Sequence, residues 1–272
     1  MALQEEFESH GNWLFRYRSY LPILIVLVGW GRYLRRVLHP EEFPLYVADY
    51  EQLYFAVAIG IGLLGLLIRV YTVGYSPRNT SGRNTKVGQV ADTLNQTGIY
   101  SIVRHPLYVG NFLMWLGPAL VTVDLWFIIS FCLLYWVYYE RIMFAEEQFL
   151  RKKFGEIYLQ WSAKVPAFLP NFSNFTPPQI SFSWKKVLTK EKNGLSALFL
   201  IFFLFDVSVL LFNPDHYTSR ILIGLSVGSG VLYLILKFIK SKTSLLVELI
   251  AKDLLIFKSK QSFAKKLFFG EF

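Results

Sequence analysis

Cysteine is almost absent from this chain: Cys132 is the only one in 272 residues. That excludes an internal disulfide and a thiolate-rich metal centre, and Cys132 itself sits in an apolar block, as a packed thiol does. Histidine is scarce too. The four, at 10, 39, 105 and 216, lack the spacing of metal ligands. No Ser-His-Asp arrangement is evident, and there is no internal repeat or low-complexity tract. No small-residue cleavage site follows the first apolar block, so that block is expected to stay as an anchor. Acidic side chains are few, 19 against 28 Lys and Arg, which leaves a formal charge of +9 and a pI near 9.5. Nucleic acid is not the expected partner, because most of the basic residues flank apolar blocks, the pattern of the positive-inside rule.

What is abundant is apolar. Hydrophobic residues make up 54% and aromatics 18%, and the mean hydropathy is +0.38. A soluble domain of this length is rarely so apolar, and several blocks approach the roughly 20 residues that cross a bilayer. The blocks run from 21 to 30, 54 to 73, 107 to 123, 125 to 144, 195 to 212 and 220 to 239. The expected fold is therefore all-α, a polytopic membrane protein of about six transmembrane helices, within a range of five to seven. Ala56, Gly60 and Gly65, and the pair Gly224 and Gly228, are candidates for close helix contact.

Six spans with a Lys-rich tail (237–272) in the cytoplasm put both termini and the 74–104 and 145–192 loops on that side. The arginines at 32, 35 and 36 disagree, since this count places them outside. They imply either an incomplete first span or contact with lipid phosphate. Three regions follow: N-terminal spans at 1–73, a core at 74–172 and further C-terminal spans at 173–272.

Only Asp124 separates the third and fourth blocks, which predicts a tight helical hairpin. Its far ends then share one side of the membrane. This brings Arg104 and His105, in SIVRHPLYVG (101–110), near Arg141, Glu146 and Glu147. Charges at helix ends often only anchor a span at the interface, but a Glu-Glu pair beside an apolar block needs partners. Apolar positions 149, 150, 154, 157 and 158 recur at helical spacing and predict a surface helix over 145–160 that roofs the hairpin mouth. A pocket holding two carboxylates, a histidine, tyrosines and a cation suits a charged, amphiphilic small molecule.

RHPLYVG, the Glu-Glu pair and FGEIYLQWSAKVPAFLP together resemble the isoprenylcysteine carboxyl methyltransferase and phospholipid methyltransferase group. The resemblance covers about residues 85–170. It implies S-adenosylmethionine as methyl donor, with S-adenosylhomocysteine as product. It also implies a lipophilic acceptor entering from the bilayer: a prenyl-cysteine carboxylate, a lipid phosphate or another lipid group. Carried onto these positions, it implies cofactor contacts at Asp92, Thr93, Leu94, Asn95, Tyr100, His105, Pro106, Leu107, Tyr108, Glu146 and Glu147. Gly110 would allow close backbone approach, Arg141 would face the acceptor, and Gln89 is a further candidate. The implied location is the plasma or inner membrane of a prokaryote, or the endoplasmic reticulum of a eukaryote, with the catalytic loops in the cytoplasm.

The residues suit that chemistry. Carboxylates and aromatic faces attract a sulfonium or an ammonium. An anionic acceptor needs no general base, so alignment alone can supply about 7–11 kcal/mol. Two other readings stay open: an NADPH-dependent sterol or isoprenoid reductase, and a non-catalytic membrane scaffold or transporter. The His-Pro-Leu-Tyr-Val-Gly run argues against the first. Ionisable groups gathered at one interface, rather than at the midplane, argue against the second.

Overall fold

A computed structural model describes residues 2–18, 20–77, 83–85 and 88–242; the side chains of 21, 83–85 and 88–90 are not among those described. The Lys-rich tail beyond 242 and the side chain of Gln89 thus lie outside the described residues. Among the described residues, eight helices carry the fold: α1 (Leu3–Tyr17), α2 (Leu21–Leu38), α3 (Glu51–Gly74), α4 (Pro106–Val121), α5 (Leu125–Phe154), α6 (Glu156–Ser162), α7 (Trp184–Ser208) and α8 (Arg220–Lys242). A short antiparallel hairpin, β1 (Arg83–Thr85) with β2 (Gly88–Val90), pairs Arg83 with Val90.

The protein is a polytopic helical membrane protein, as the block pattern predicts. Among the described residues, four helices are long and apolar enough to cross a bilayer: Ala48–Gly74, Leu125–Phe154, Trp184–Leu211 and Arg220–Lys242. The other two blocks form α4, apolar but of 16 residues, and α2, of 18 residues with three arginines near its end.

Those arginines find protein partners. Arg32 pairs with Asp124, and Arg35 with Glu42 at 2.6 Å. Arg36, 1% exposed, lies 3.2 Å from Glu51 and over the Tyr46 ring. Arginine is costly in an apolar bundle unless paired, and these pairs let α2 run on to Leu38. They also join the end of α2 to the start of α3 and to the α4–α5 turn.

The hairpin expected about Asp124 is present. Val123 takes a left-handed backbone (φ +52°), and Asp124 caps α5 by accepting from the N–H groups of Trp126 at 3.1 Å and Phe127 at 3.2 Å. The roof differs from expectation. No separate surface helix begins at 145; α5 continues unbroken through Phe154, because nothing in FAEEQFLRKKF interrupts a helix. The break comes at Gly155, whose φ of +53° ends α5, and only the short α6 lies across the mouth.

Helices α3 and α4 pack through glycine. A Cβ on Gly65 would come 2.5 Å from the Gly110 carbonyl oxygen, and one on Gly117 would come 2.6 Å from that of Ala58. The contact stripe is thus Ala58, Gly62 and Gly65 rather than the expected Ala56, Gly60 and Gly65. Gly60, Gly224 and Gly228 face open space. One core gathers Tyr33, Leu66, Phe202 and Phe205 from α2, α3 and α7. Another is an aromatic ladder along α5, in which Tyr135 and Tyr139 stack at 4.1 Å. Outside this ladder α1 docks on α5. Gly11 approaches the Arg141 carbonyl, where a Cβ would come 2.1 Å from the oxygen, and the Tyr138 hydroxyl donates to the Leu14 carbonyl at 3.0 Å.

Candidate active site

SIVRHPLYVG forms a bend between a short 3-10 turn (Ile99–Ser101) and α4. Pro106 takes the first helical position, where its missing N–H is no loss and its fixed φ favours the helix. The bend is held by backbone bonds to the KVPAFLPNF segment. The Arg104 N–H donates to the Pro166 carbonyl at 2.9 Å, that of His105 to Ala167 at 3.2 Å, and that of Asn171 to Ile102 at 2.9 Å. Gly98, at φ +63°, begins the loop and bridges Thr176. The two sequence stretches that carry the resemblance are therefore hydrogen-bonded to each other.

Above the bend lies a cavity of about 220 Å³. That is smaller than the roughly 300–1,000 Å³ of sites that enclose a whole drug-sized ligand. A second hollow of about 370 Å³ lies on the other side of Trp161, a wall common to both.

The main cavity is built around His105. Its Nε2 is 2.9 Å from Glu147 Oε1, and its Nδ1 is 3.6 Å from Glu146 Oε2. The Tyr108 hydroxyl donates to Glu146 Oε2 at 3.0 Å, and its ring stacks on the imidazole. Arg104 Nε stands 3.3 Å from Glu147. Below, the Tyr135 hydroxyl donates to the Tyr108 carbonyl at 2.8 Å, which locks that turn of α4 to α5. Burial alone would lower the His105 pKa, but the hydrogen bonds and charges of Glu146 and Glu147 outweigh it and lift the value to about 9. His105 is thus an imidazolium at neutral pH, held between two carboxylates. Burial pushes the Tyr158 phenol up, so it stays protonated.

Of the residues singled out from sequence, Leu94, Asn95, Tyr100, His105, Pro106, Leu107, Tyr108 and Glu146 line the cavity. Glu147 joins through His105 and Arg104. Asp92 and Thr93 are exposed and form no part of its wall. Two expectations need correction. Gly110 does not line the cavity; it lets α4 approach α3, since a Cβ there would come 2.8 Å from the Gly65 carbonyl. Arg141 does not face the cavity either. It is on the α1 side of α5, with its guanidinium carbon 3.3 Å from the Phe7 ring centroid. Arg141 and Glu146 are five residues apart, which on a helix puts them on different faces.

The wall also contains residues that sequence reasoning missed. Phe15 comes from α1, which carries no motif, and Arg18 from the cap that ends it. Arg69 from α3 and Asn111 from α4 also line the cavity. Arg69 did carry a signal, as an ionisable residue inside an apolar block.

Residues 55–157 match the family model described as phospholipid methyltransferase. This segment of the chain is similar to that family. The resemblance carried by RHPLYVG and the Glu-Glu pair is thereby borne out, and the methyltransferase-family segment contains the His105–Glu146–Glu147 cluster. Among curated relatives, the fission yeast protein-S-isoprenylcysteine O-methyltransferase is 28% identical over 54% of this chain and 63% of its own length. The human protein of the same name is 35% identical over 29% of this chain and 28% of its own length. The cobalt-zinc-cadmium resistance protein CzcN of Cupriavidus metallidurans is 33% identical over 42% and 49%. The chain thus spans less than two thirds of each of these relatives. No solved structure gives a significant match.

Proposed function

We propose that this protein is an integral membrane methyltransferase that uses S-adenosylmethionine and acts on a lipophilic acceptor held in the bilayer. The observation that carries the reading is one cluster: His105, Tyr108 and Glu146 line a single cavity inside the methyltransferase-family segment, with Glu147 bonded to His105. The donor set suits the cofactor. Glu146 and Glu147 can hold an ammonium by charge-assisted bonds, and Tyr100, Tyr108 and Tyr158 offer aromatic faces to a sulfonium. When bound, the cofactor supplies an electrophilic methyl group.

The protein's own task is then placement. The imidazolium of His105 fixes the directions of both carboxylates, and Tyr108 holds Glu146 from the neighbouring helix. The 165–176 segment closes the bend from outside and α6 limits access of water. With an anionic acceptor no side chain need take a proton, so alignment is the main source of rate. The relatives' names put a prenylated cysteine carboxylate first among acceptors, with a lipid phosphate or other lipid group next. The site faces the cytoplasm in this reading, where the soluble cofactor is found, and the acceptor arrives laterally.

Thermal melting of the detergent-solubilised protein tests the donor: saturating S-adenosylhomocysteine raises the melting temperature if the reading holds, and no shift removes it. Methyl-labelled S-adenosylmethionine offered with total membrane lipids or with a prenyl-cysteine analogue then identifies the acceptor by where label appears.

A further inference from the structure

Helix α7 lies outside the family match, yet it bonds a residue that lines the cavity. Arg69 on α3 lines the same cavity as Glu146. Its guanidinium is held at all three nitrogens. Nε donates to Glu191 Oε2 at 2.7 Å and Nη2 to Oε1 at 2.9 Å, while Nη1 donates to Asn111 Oδ1 at 2.5 Å. Glu191 belongs to α7 and is buried, 4% exposed. Gly110 makes room for the arginine stem, since a Cβ there would come 2.6 Å from Arg69 Cγ.

A plain tie between α3 and α7 explains this poorly. The two helices already pack tightly elsewhere, where a Cβ on Gly62 would come 2.8 Å from Leu198 Cδ1. A buried ion pair also contributes little stability compared with apolar packing of the same volume. The two-to-two pairing instead fixes the plane of the guanidinium. It uses three of the five N–H groups that an arginine carries, and Arg69 keeps surface in the cavity. A fixed planar donor with hydrogens to spare suits an oxyanion such as a carboxylate.

We propose that Arg69 contacts a ligand carboxylate or comparable oxyanion in this cavity, and that Glu191 is its positioning residue, which makes α7 part of the site. The proposal rests on the methyltransferase reading. The oxyanion has two possible sources, the amino-acid end of the donor or the acceptor, and the test separates them.

The full-length detergent-solubilised protein is measured with S-adenosylhomocysteine by calorimetry and with a prenyl-cysteine analogue by steady-state kinetics. Arg69→Gln is expected to weaken one of the two, the affinity or KM, by about tenfold or more, as loss of a charged hydrogen bond does. A loss in S-adenosylhomocysteine affinity assigns the oxyanion to the donor; a rise in KM assigns it to the acceptor. Glu191→Gln is expected to weaken the same quantity by a smaller factor, and to add nothing when Arg69 is already Gln. A merely structural tie would not show that dependence. If either single variant fails to fold, the double variant leaves no buried unpaired charge and decides alone: weakened ligand constants support the proposal. Constants within about twofold of wild type in the double variant or in Arg69→Gln overturn it, even with a lowered melting temperature. If the wild-type protein itself binds no S-adenosylhomocysteine, the methyltransferase reading falls first and this proposal with it.

Discussion

The hydroxyl of Tyr108 donates to Glu146 across the hairpin, from the first turns of α4 to the far end of α5, at 3.0 Å. The pair is separated by 38 residues and buried, so it reports directly on whether the hairpin mouth is assembled. Glu146→Gln keeps the shape and removes the charge. It should lower S-adenosylhomocysteine affinity by roughly ten- to a hundredfold, the range of a charged hydrogen bond worth about 1.5–3 kcal/mol. Tyr108→Phe should cost less, because it leaves the carboxylate in place. Calorimetric titration of both variants checks the order; equal affinities for Glu146→Gln and wild type would remove Glu146 from the site.

The raised pKa of His105 has a consequence for stability. Its folded value is about 9, above an ordinary histidine at about 6.5. The imidazolium therefore stabilises the fold in full below pH 6.5, and that contribution is lost as pH rises through about 9. Melting temperature should fall between pH 7 and 10, and His105→Asn should flatten that part of the profile. An unchanged slope in the variant would assign the pH dependence to other groups.

Arg141 sits over Phe7 and away from the cavity. Arg141→Ala should leave S-adenosylhomocysteine affinity within about twofold while weakening the docking of α1 by about 0.5–1 kcal/mol, the size of an exposed cation–π contact. Limited proteolysis of the first 17 residues, compared between variant and wild type, reads the docking.

Gly65 and Gly60 lie on the same helix and should behave oppositely. Gly65→Val drives a side chain into the backbone of α4 and should cost about 1–3 kcal/mol. Gly60→Ala meets nothing within 4 Å and should be neutral or stabilising by up to about 1 kcal/mol. Thermal melts of the two variants in the same detergent make the comparison.

Asp124 caps α5 and pairs with Arg32. Asp124→Ala should cost about 1–2 kcal/mol from the lost cap, and more because Arg32 is left without its carboxylate. Asp124→Asn keeps the cap and loses only the pair, so its melting temperature should fall between the other two. If Asn behaves like Ala, the cap is not what holds the turn.

Much of this was readable from the chain alone. Apolar blocks of bilayer length settle a helical membrane fold, because a bilayer leaves few other ways to satisfy a spanning backbone. Asp124 alone between two blocks implies a hairpin, and a hairpin implies that His105 meets Glu146 and Glu147. Such inferences follow from chain length and connectivity. The tertiary structure decided which face each side chain presents. Arg141 turned toward α1 because a helix carries residues five apart onto different faces, and Gly110 turned toward α3 because that contact is too close for a Cβ. It also decided the long-range partners: Asp124 and Glu51 for the arginines of α2, and Glu191, more than a hundred residues away, for Arg69. A charge buried in an apolar bundle must find its opposite, but composition does not say where. Only packing brings the pair within bonding distance.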